Sequence, residues 1–168
     1  MRTPLVVVVM GVSGTGKSTV GPLVADRLGV PYAEGDDFHP AANVAKMTAG
    51  VPLEDADRWP WLDAIGRWAR GRAGRGGVVS SSALKRAYRD RLRQEHPGLV
   101  FLHLTGDRAL IEERMAARRG HFMPTALLDS QFGALQPLGE DEAGVAVDVS
   151  GTPEETADRA AAALRAFA

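Results

Sequence analysis

Gly11-Val12-Ser13-Gly14-Thr15-Gly16-Lys17-Ser18 fits the phosphate-binding pattern G-x-x-x-x-G-K-[ST] at every fixed position. Its flanks agree with that pattern. Leu5-Val6-Val7-Val8-Val9-Met10 stands immediately before it and reads as a short, buried parallel strand. Ser18 to Leu28 follows with helical spacing, Val20, Leu23, Val24 and Leu28 forming its apolar positions. Strand, glycine turn and helix N-terminus is the context in which the pattern has a mechanism.

The residue types state that mechanism. Gly11, Gly14 and Gly16 allow turns and close approaches that a Cβ would block. The N–H groups of the loop then point at phosphate oxygens, and the helix dipole favours the anion. Lys17 reaches the β- and γ-phosphates, Ser18 places a hydroxyl on Mg²⁺, and Thr19 opens the helix behind them. The motif specifies a nucleoside triphosphate and leaves open what it is used for.

Bulk composition narrows the classes. The 168 residues suit one domain with a real core, and 45% hydrophobic with 24% charged residues is ordinary for a soluble protein. A formal charge of −1 gives no global case for nucleic acid or membrane. The absence of cysteine excludes disulfides and thiolate metal sites. The apolar run after Arg2 is too short for a signal-peptide core and ends in the glycine motif, so a cytoplasmic protein is expected. Lysine occurs only at Lys17, Lys46 and Lys85 in a chain otherwise charged with arginine, which draws notice to the last two.

Beyond the first helix, Val30 to Glu34 reads as a second strand running into Gly35-Asp36-Asp37-Phe38-His39-Pro40. Ligands of an open parallel sheet bind beyond the carboxyl ends of its strands. Glu34, Asp36 and Asp37 therefore fall near the phosphate loop, as metal or hydroxyl partners or as caps of the next helix. Ala41 to Thr48 reads as a short helix. A longer helix is expected to start near Pro60, capped by Asp57, with Trp61, Leu62, Ile65 and Trp68 as its packing stripe and Arg58 beside it.

Val78 to Ser82 reads as a third strand that delivers Lys85 and Arg86. Ser82-Ala83-Leu84-Lys85 also spells S-x-x-K, but no S-D-N or K-T-G partner accompanies it. The arginines of the following helix ring it and most read as solvated surface, Arg86 at the strand end, beside Lys85, being the exception. Leu99 to Leu104 is a fourth strand. The helix after it carries Arg114 and Arg118 on one face and ends in Arg118-Arg119, placed to close on a triphosphate or to complement the helix dipole. Pro124 opens another helix, Val145 to Val149 is a fifth strand, and Thr152-Pro153-Glu154-Glu155 caps an alanine-rich last helix. Strands alternating with helices give an α/β class with a parallel sheet.

Several blocks together resemble the gluconokinase (gluconate kinase) family of P-loop small-molecule kinases. They are Met10 to Thr19; Glu34 to Pro40; Asn43 with Lys46-Met47; Pro52-Leu53 with Asp57 to Leu62; Ser82 to Asp90; and His121 to Met123 with Leu127 to Phe132. The second and fifth blocks are far more specific than the phosphate loop. The resemblance implies a three-layer P-loop kinase fold over residues 1–168, with a five-stranded parallel sheet of order 2-3-1-4-5, helices on both faces and a small lid over roughly 118–136. It implies ATP- and Mg²⁺-dependent phosphorylation of D-gluconate at the 6-hydroxyl, and commonly a homodimer. Carried onto this sequence, it makes Lys17, Asp36, Arg118 and Arg119 catalytic residues, with Asp37 and Glu34 as the alternatives to Asp36 for the base. Gly11 to Thr19 with Arg114 hold the nucleotide, and Asp36, His39, Arg58, Lys85 and Arg86 hold the substrate. The alternatives are a kinase for shikimate, a nucleoside monophosphate or another sugar acid, and a nucleotide-binding switch without acceptor chemistry. The Ser80-Ser81-Ser82 run, where relatives often carry cysteine, and Gln136, where an acid is commoner, depart from the family pattern.

Overall fold

A computed structural model describes residues 4–117 and 125–168 of the chain. Strand β1 (Val6–Met10) runs into α1 (Lys17–Leu28), and β2 (Tyr32–Ala33) into a 3₁₀ turn, Gly35–Phe38. Helices α2 (Ala41–Thr48) and α3 (Asp55–Gly71) precede β3 (Gly77–Ser80), α4 (Arg86–Glu95) and β4 (Val100–Thr105). Then come α5 (Arg108–Ala117), α6 (Thr125–Ala134), β5 (Gly144–Asp148), α7 (Pro153–Leu164) and a closing 3₁₀ turn, Arg165–Phe167.

The five strands form one sheet of order β2-β3-β1-β4-β5, each neighbouring pair parallel. This is the order the family resemblance implies. Alternation along β1 feeds two cores, because successive strand side chains face opposite ways. Val7 and Val9 pack with Val24 of α1 and Ala160 of α7; Val6, Val8 and Met10 pack with Ile65 of α3 and Leu92 of α4. A third cluster, Val12, Leu84, Ile111, Met115 and Leu128, lies under the phosphate loop and ties α5 and α6 to it. No helix among the described residues is long and apolar enough to cross a membrane.

One local expectation is corrected and another is sharpened. Helix α3 begins at Asp55, not near Pro60, and Asp57 sits in its first turn, where its Oδ2 accepts the Glu54 N–H at 2.8 Å. Carboxylates at the positive end of the helix start it a turn early, and Pro60 is carried inside. Nor are all the arginines of α4 solvated. Arg89 is 0% exposed and grips Glu142, Nε to Oε1 at 2.8 Å and Nη2 to Oε2 at 3.0 Å. Arg93 joins Glu142 at 2.9 Å, and the Gly139 N–H donates to it at 2.8 Å. The buried carboxylate is what draws the guanidinium inward, since a buried charge must be paired.

That pair predicts an acid response. Burial alone would raise the Glu142 carboxyl, but the bonds from Arg89, Gly139 and Arg93 outweigh it and hold the group down to about 2. A folded value below the unfolded one stabilises the fold above the unfolded value, and this support is lost as pH falls from 4.5 towards 2. Glu142→Ala leaves Arg89 buried and unpaired. It is expected to lower unfolding stability at neutral pH by about 3–5 kcal/mol in urea titrations, and to flatten the loss between those pH values. Full stability in the variant would count against the pair.

Candidate active site

The phosphate loop has the backbone its glycines require. Gly14 and Gly16 take φ of 88° and 90°. A Cβ on Gly14 would stand 2.7 Å from Met115 Cγ. Thr15 Oγ1 closes the loop onto the Val12 carbonyl at 2.9 Å, and Lys17 Nζ donates to the Gly11 and Val12 carbonyls at 2.8 and 3.0 Å. Residues 13–20 line a cavity of about 610 Å³ together with Glu34, Asp36, Trp61, residues 80–82, Arg114 and Gln131. His103, from the neighbouring strand β4, is buried. Burial first, then Arg89 and Lys17, push its imidazole down to about 4, so it is neutral at pH 7.

The acidic turn lines the same cavity through Glu34 and Asp36, and these two carboxylates differ in their engagement. Glu34 accepts from Ser18 Oγ (3.1 Å) and Ser80 Oγ (2.8 Å) on one oxygen and from Tyr32 Oη (2.9 Å) on the other. Asp36 is exposed on the cavity wall, 83% by side chain, while Asp37 is exposed outside that lining. Gly35 makes the turn possible. A Cβ there would fall 1.8 Å from the Ser80 carbonyl oxygen, and Trp61 Nε1 donates to the Gly35 carbonyl at 2.8 Å.

His39 stands behind Asp36, its ring stacked on Trp61 at 4.3 Å between centroids. Its tautomer follows from Asn43. Asn43 Nδ2 donates to the Asp57 carbonyl at 2.8 Å, which fixes that atom as nitrogen, and the same group meets His39 Nδ1 at 3.2 Å. Nδ1 therefore accepts, and the proton of the neutral ring is on Nε2, 3.9 Å from Asp36 Oδ1. Burial lowers the His39 imidazole further than the Asp36 charge raises it.

Arg58 and Lys85, both singled out for substrate, come together. Each lies 5.7 Å from the centroid of the Tyr88 ring. Asp55 holds the group: its Oδ1 accepts from Tyr88 Oη at 2.6 Å and from Arg58 Nη1 at 3.1 Å. Burial, then Asp55, push the Tyr88 hydroxyl up to about 12. Arg86 instead forks Asp141, Nη1 to Oδ1 at 2.8 Å and Nη2 to Oδ2 at 2.6 Å. Lys46 pairs with Asp57 at 2.8 Å and joins α2 to α3. The turn into Lys85 is tight: Ala83 has φ of 44°, and Arg89 Nη1 holds its carbonyl at 2.9 Å.

Arg114 lines the far end of the cavity with Gly151, Pro153 and Thr156, and donates to the Gly151 carbonyl at 3.0 Å. Arg118 and Arg119, with the first part of the expected lid, lie outside the described residues. Asp55, Tyr88, Ser80 and Gln131 had no role from the sequence. Their types are ordinary, and only long-range contacts single them out.

No family model matches the chain. A gluconokinase of Gluconobacter oxydans is 46% identical over 153 residues, 90% of this chain and 86% of its own length. The thermoresistant gluconokinase of Escherichia coli is 46% identical over 83% of this chain and 81% of its own. The crystal structure of a gluconokinase from Sinorhizobium meliloti, 48% identical, superposes with a TM-score of 0.90 over 100% of this chain and 95% of that one. With a phosphate loop after β1 and an acidic turn after β2 lining one cavity, and identity of this order along the chain, the protein belongs to the gluconokinase family.

Proposed function

We propose that this chain transfers the γ-phosphoryl group of ATP to the 6-hydroxyl of D-gluconate, giving 6-phospho-D-gluconate, with Mg²⁺ and as a cytoplasmic homodimer. The observation that supports the reading is the shared cavity, lined by both Asp36 and the phosphate loop, in a chain of the gluconokinase family.

The loop N–H groups and Lys17 take the phosphates and offset the charge that spreads over the transferring group. Asp36 orients the acceptor hydroxyl and takes its proton as the oxygen attacks. Glu34 is less suited to that step, because both its oxygens already accept hydrogen bonds. Arg58 and Lys85 form the basic pair for the substrate carboxylate. Arg114 serves the nucleotide, and Arg118 and Arg119 close over the triphosphate.

Ser18 and Glu34 are the residues that would hold Mg²⁺. Both offer hard oxygen donors at the phosphate loop, 3.1 Å apart. Magnesium is commonly bound by one or two carboxylates plus substrate phosphates, not by a cage, and no group of three or more acidic, His or Cys ligands occurs among the described residues. When bound, the ion neutralises charge on the transferring phosphates.

A coupled ADP-release assay with ATP and Mg²⁺ tests the reading. D-gluconate is expected to stimulate turnover strongly, with shikimate, AMP and related sugar acids near background. Stimulation by another acceptor instead, or nucleotide binding with no acceptor response, would overturn it.

A further inference from the structure

Helix α6 touches both sides of the reaction. Leu128 is buried in the cluster beneath the phosphate loop, and Asp129 is paired with Arg108 of α5. One turn after Leu128, Gln131 reaches the loop itself. Its Oε1 accepts the Ser13 backbone N–H at 2.6 Å, and its Nε2 donates to Ser13 Oγ at 3.0 Å. A neutral carboxamide can do both at once. Just past the helix, the Gln136 N–H donates to the Leu84 carbonyl at 2.7 Å, and Gln136 Oε1 accepts the Arg86 N–H at 2.6 Å. These bonds flank Lys85. One short segment therefore spans the donor loop and the acceptor-side turn.

We propose that Gln131 is a positioning residue for phosphoryl transfer: its carboxamide sets the Ser13 peptide of the phosphate loop and, through α6, keeps that loop in register with the Lys85 turn. The inference rests on the gluconate phosphorylation reading. Gln131 lines the cavity beside Lys17 and Asp36, so a change in its chemistry is felt where phosphates bind.

Three variants separate position from charge. Gln131→Ala and Gln131→Met remove both bonds, the second keeping a long side chain for packing. Each is expected to lower kcat about tenfold, a misplacement effect, while the Kd for MgATP stays within about threefold because Lys17 and the other loop donors remain. Gln131→Glu behaves in the opposite way. Its carboxylate accepts from the Ser13 N–H and from the Ser13 hydroxyl, so the register survives. The added charge repels polyphosphate, and the Kd for MgATP is expected to rise about tenfold with kcat at saturation near wild type.

The measurements are kcat with gluconate, MgATP affinity by equilibrium titration, and Tm for each variant. Loss of kcat without loss of affinity in the Ala and Met variants, together with the reverse in Glu, supports the proposal, because a purely structural contact would not split the two. Wild-type kcat in Gln131→Ala, or any pattern in which all three variants change alike, overturns it. Failure of the underlying reading is visible separately, as absence of gluconate-dependent turnover in the wild-type enzyme.

Discussion

Lys17→Ala is expected to lower kcat about 10³-fold while leaving the fold intact, the loss typical of removing a preorganised charge donor from a developing anion. The ammonium is held for that task by its own loop, through the Gly11 and Val12 carbonyls at 2.8 and 3.0 Å. The substitution deletes those two bonds as well, and a fall of about 1–3 kcal/mol in unfolding stability accompanies it. The two readouts are independent: kcat at saturating MgATP and gluconate reports the charge, and a thermal melt reports the loop. Lys17→Arg is not expected to rescue, because a planar guanidinium cannot replace a compact ammonium between two carbonyls. A kcat within tenfold of wild type in Lys17→Ala would remove the residue from the chemistry.

Asp36→Asn is expected to lower kcat about 10²–10⁴-fold, the range for a lost general base, with the KM for MgATP changed little. Asparagine keeps the size of the side chain and its place on the cavity wall but cannot take a proton. The geometry discriminates Asp36 from its neighbours. Glu34 is committed to Ser18, Ser80 and Tyr32, and Asp37 is exposed outside the cavity lining. Asp37→Asn is therefore the control, expected to retain kcat within about threefold, as a surface change away from the reacting atoms. Near-wild-type turnover in Asp36→Asn, or equal losses in both variants, would shift the proton acceptor elsewhere.

The phosphate loop was legible because its signals are local. Glycines at the positions that turn, a β-branched run before them and a helical period after them lie within thirty residues, and each is a direct consequence of backbone sterics or side-chain period. The same holds for the last helix, whose capping box is present as Thr152 Oγ1 accepting the Glu155 N–H and Glu155 Oε1 accepting the Thr152 N–H, both at 3.1 Å. The sheet order was not readable from period. It came from resemblance, since parallel pairing is decided by crossovers that leave no mark in any one strand.

Other features depend on partners far along the chain. Arg89 reads as one more surface arginine of α4, and Glu142, 53 residues away, is what buries it. Gln131 belongs to a family-like block but has no task until α6 packs and brings it to Ser13, 118 residues earlier. Arg58 and Lys85 were each candidates by type, but their meeting over Tyr88, and the diversion of Arg86 to Asp141, are matters of packing.

By itself, then, the sequence determined the α/β class, the phosphate loop with Lys17 and Ser18, and the acidic turn after the second strand, because steric and periodic rules act between near neighbours. Only the tertiary structure decided which acids line the cavity and which of them is already engaged, which cations cluster and which helix braces the loop. Those outcomes depend on which buried charges and hydrogen-bonding groups find partners when distant segments meet.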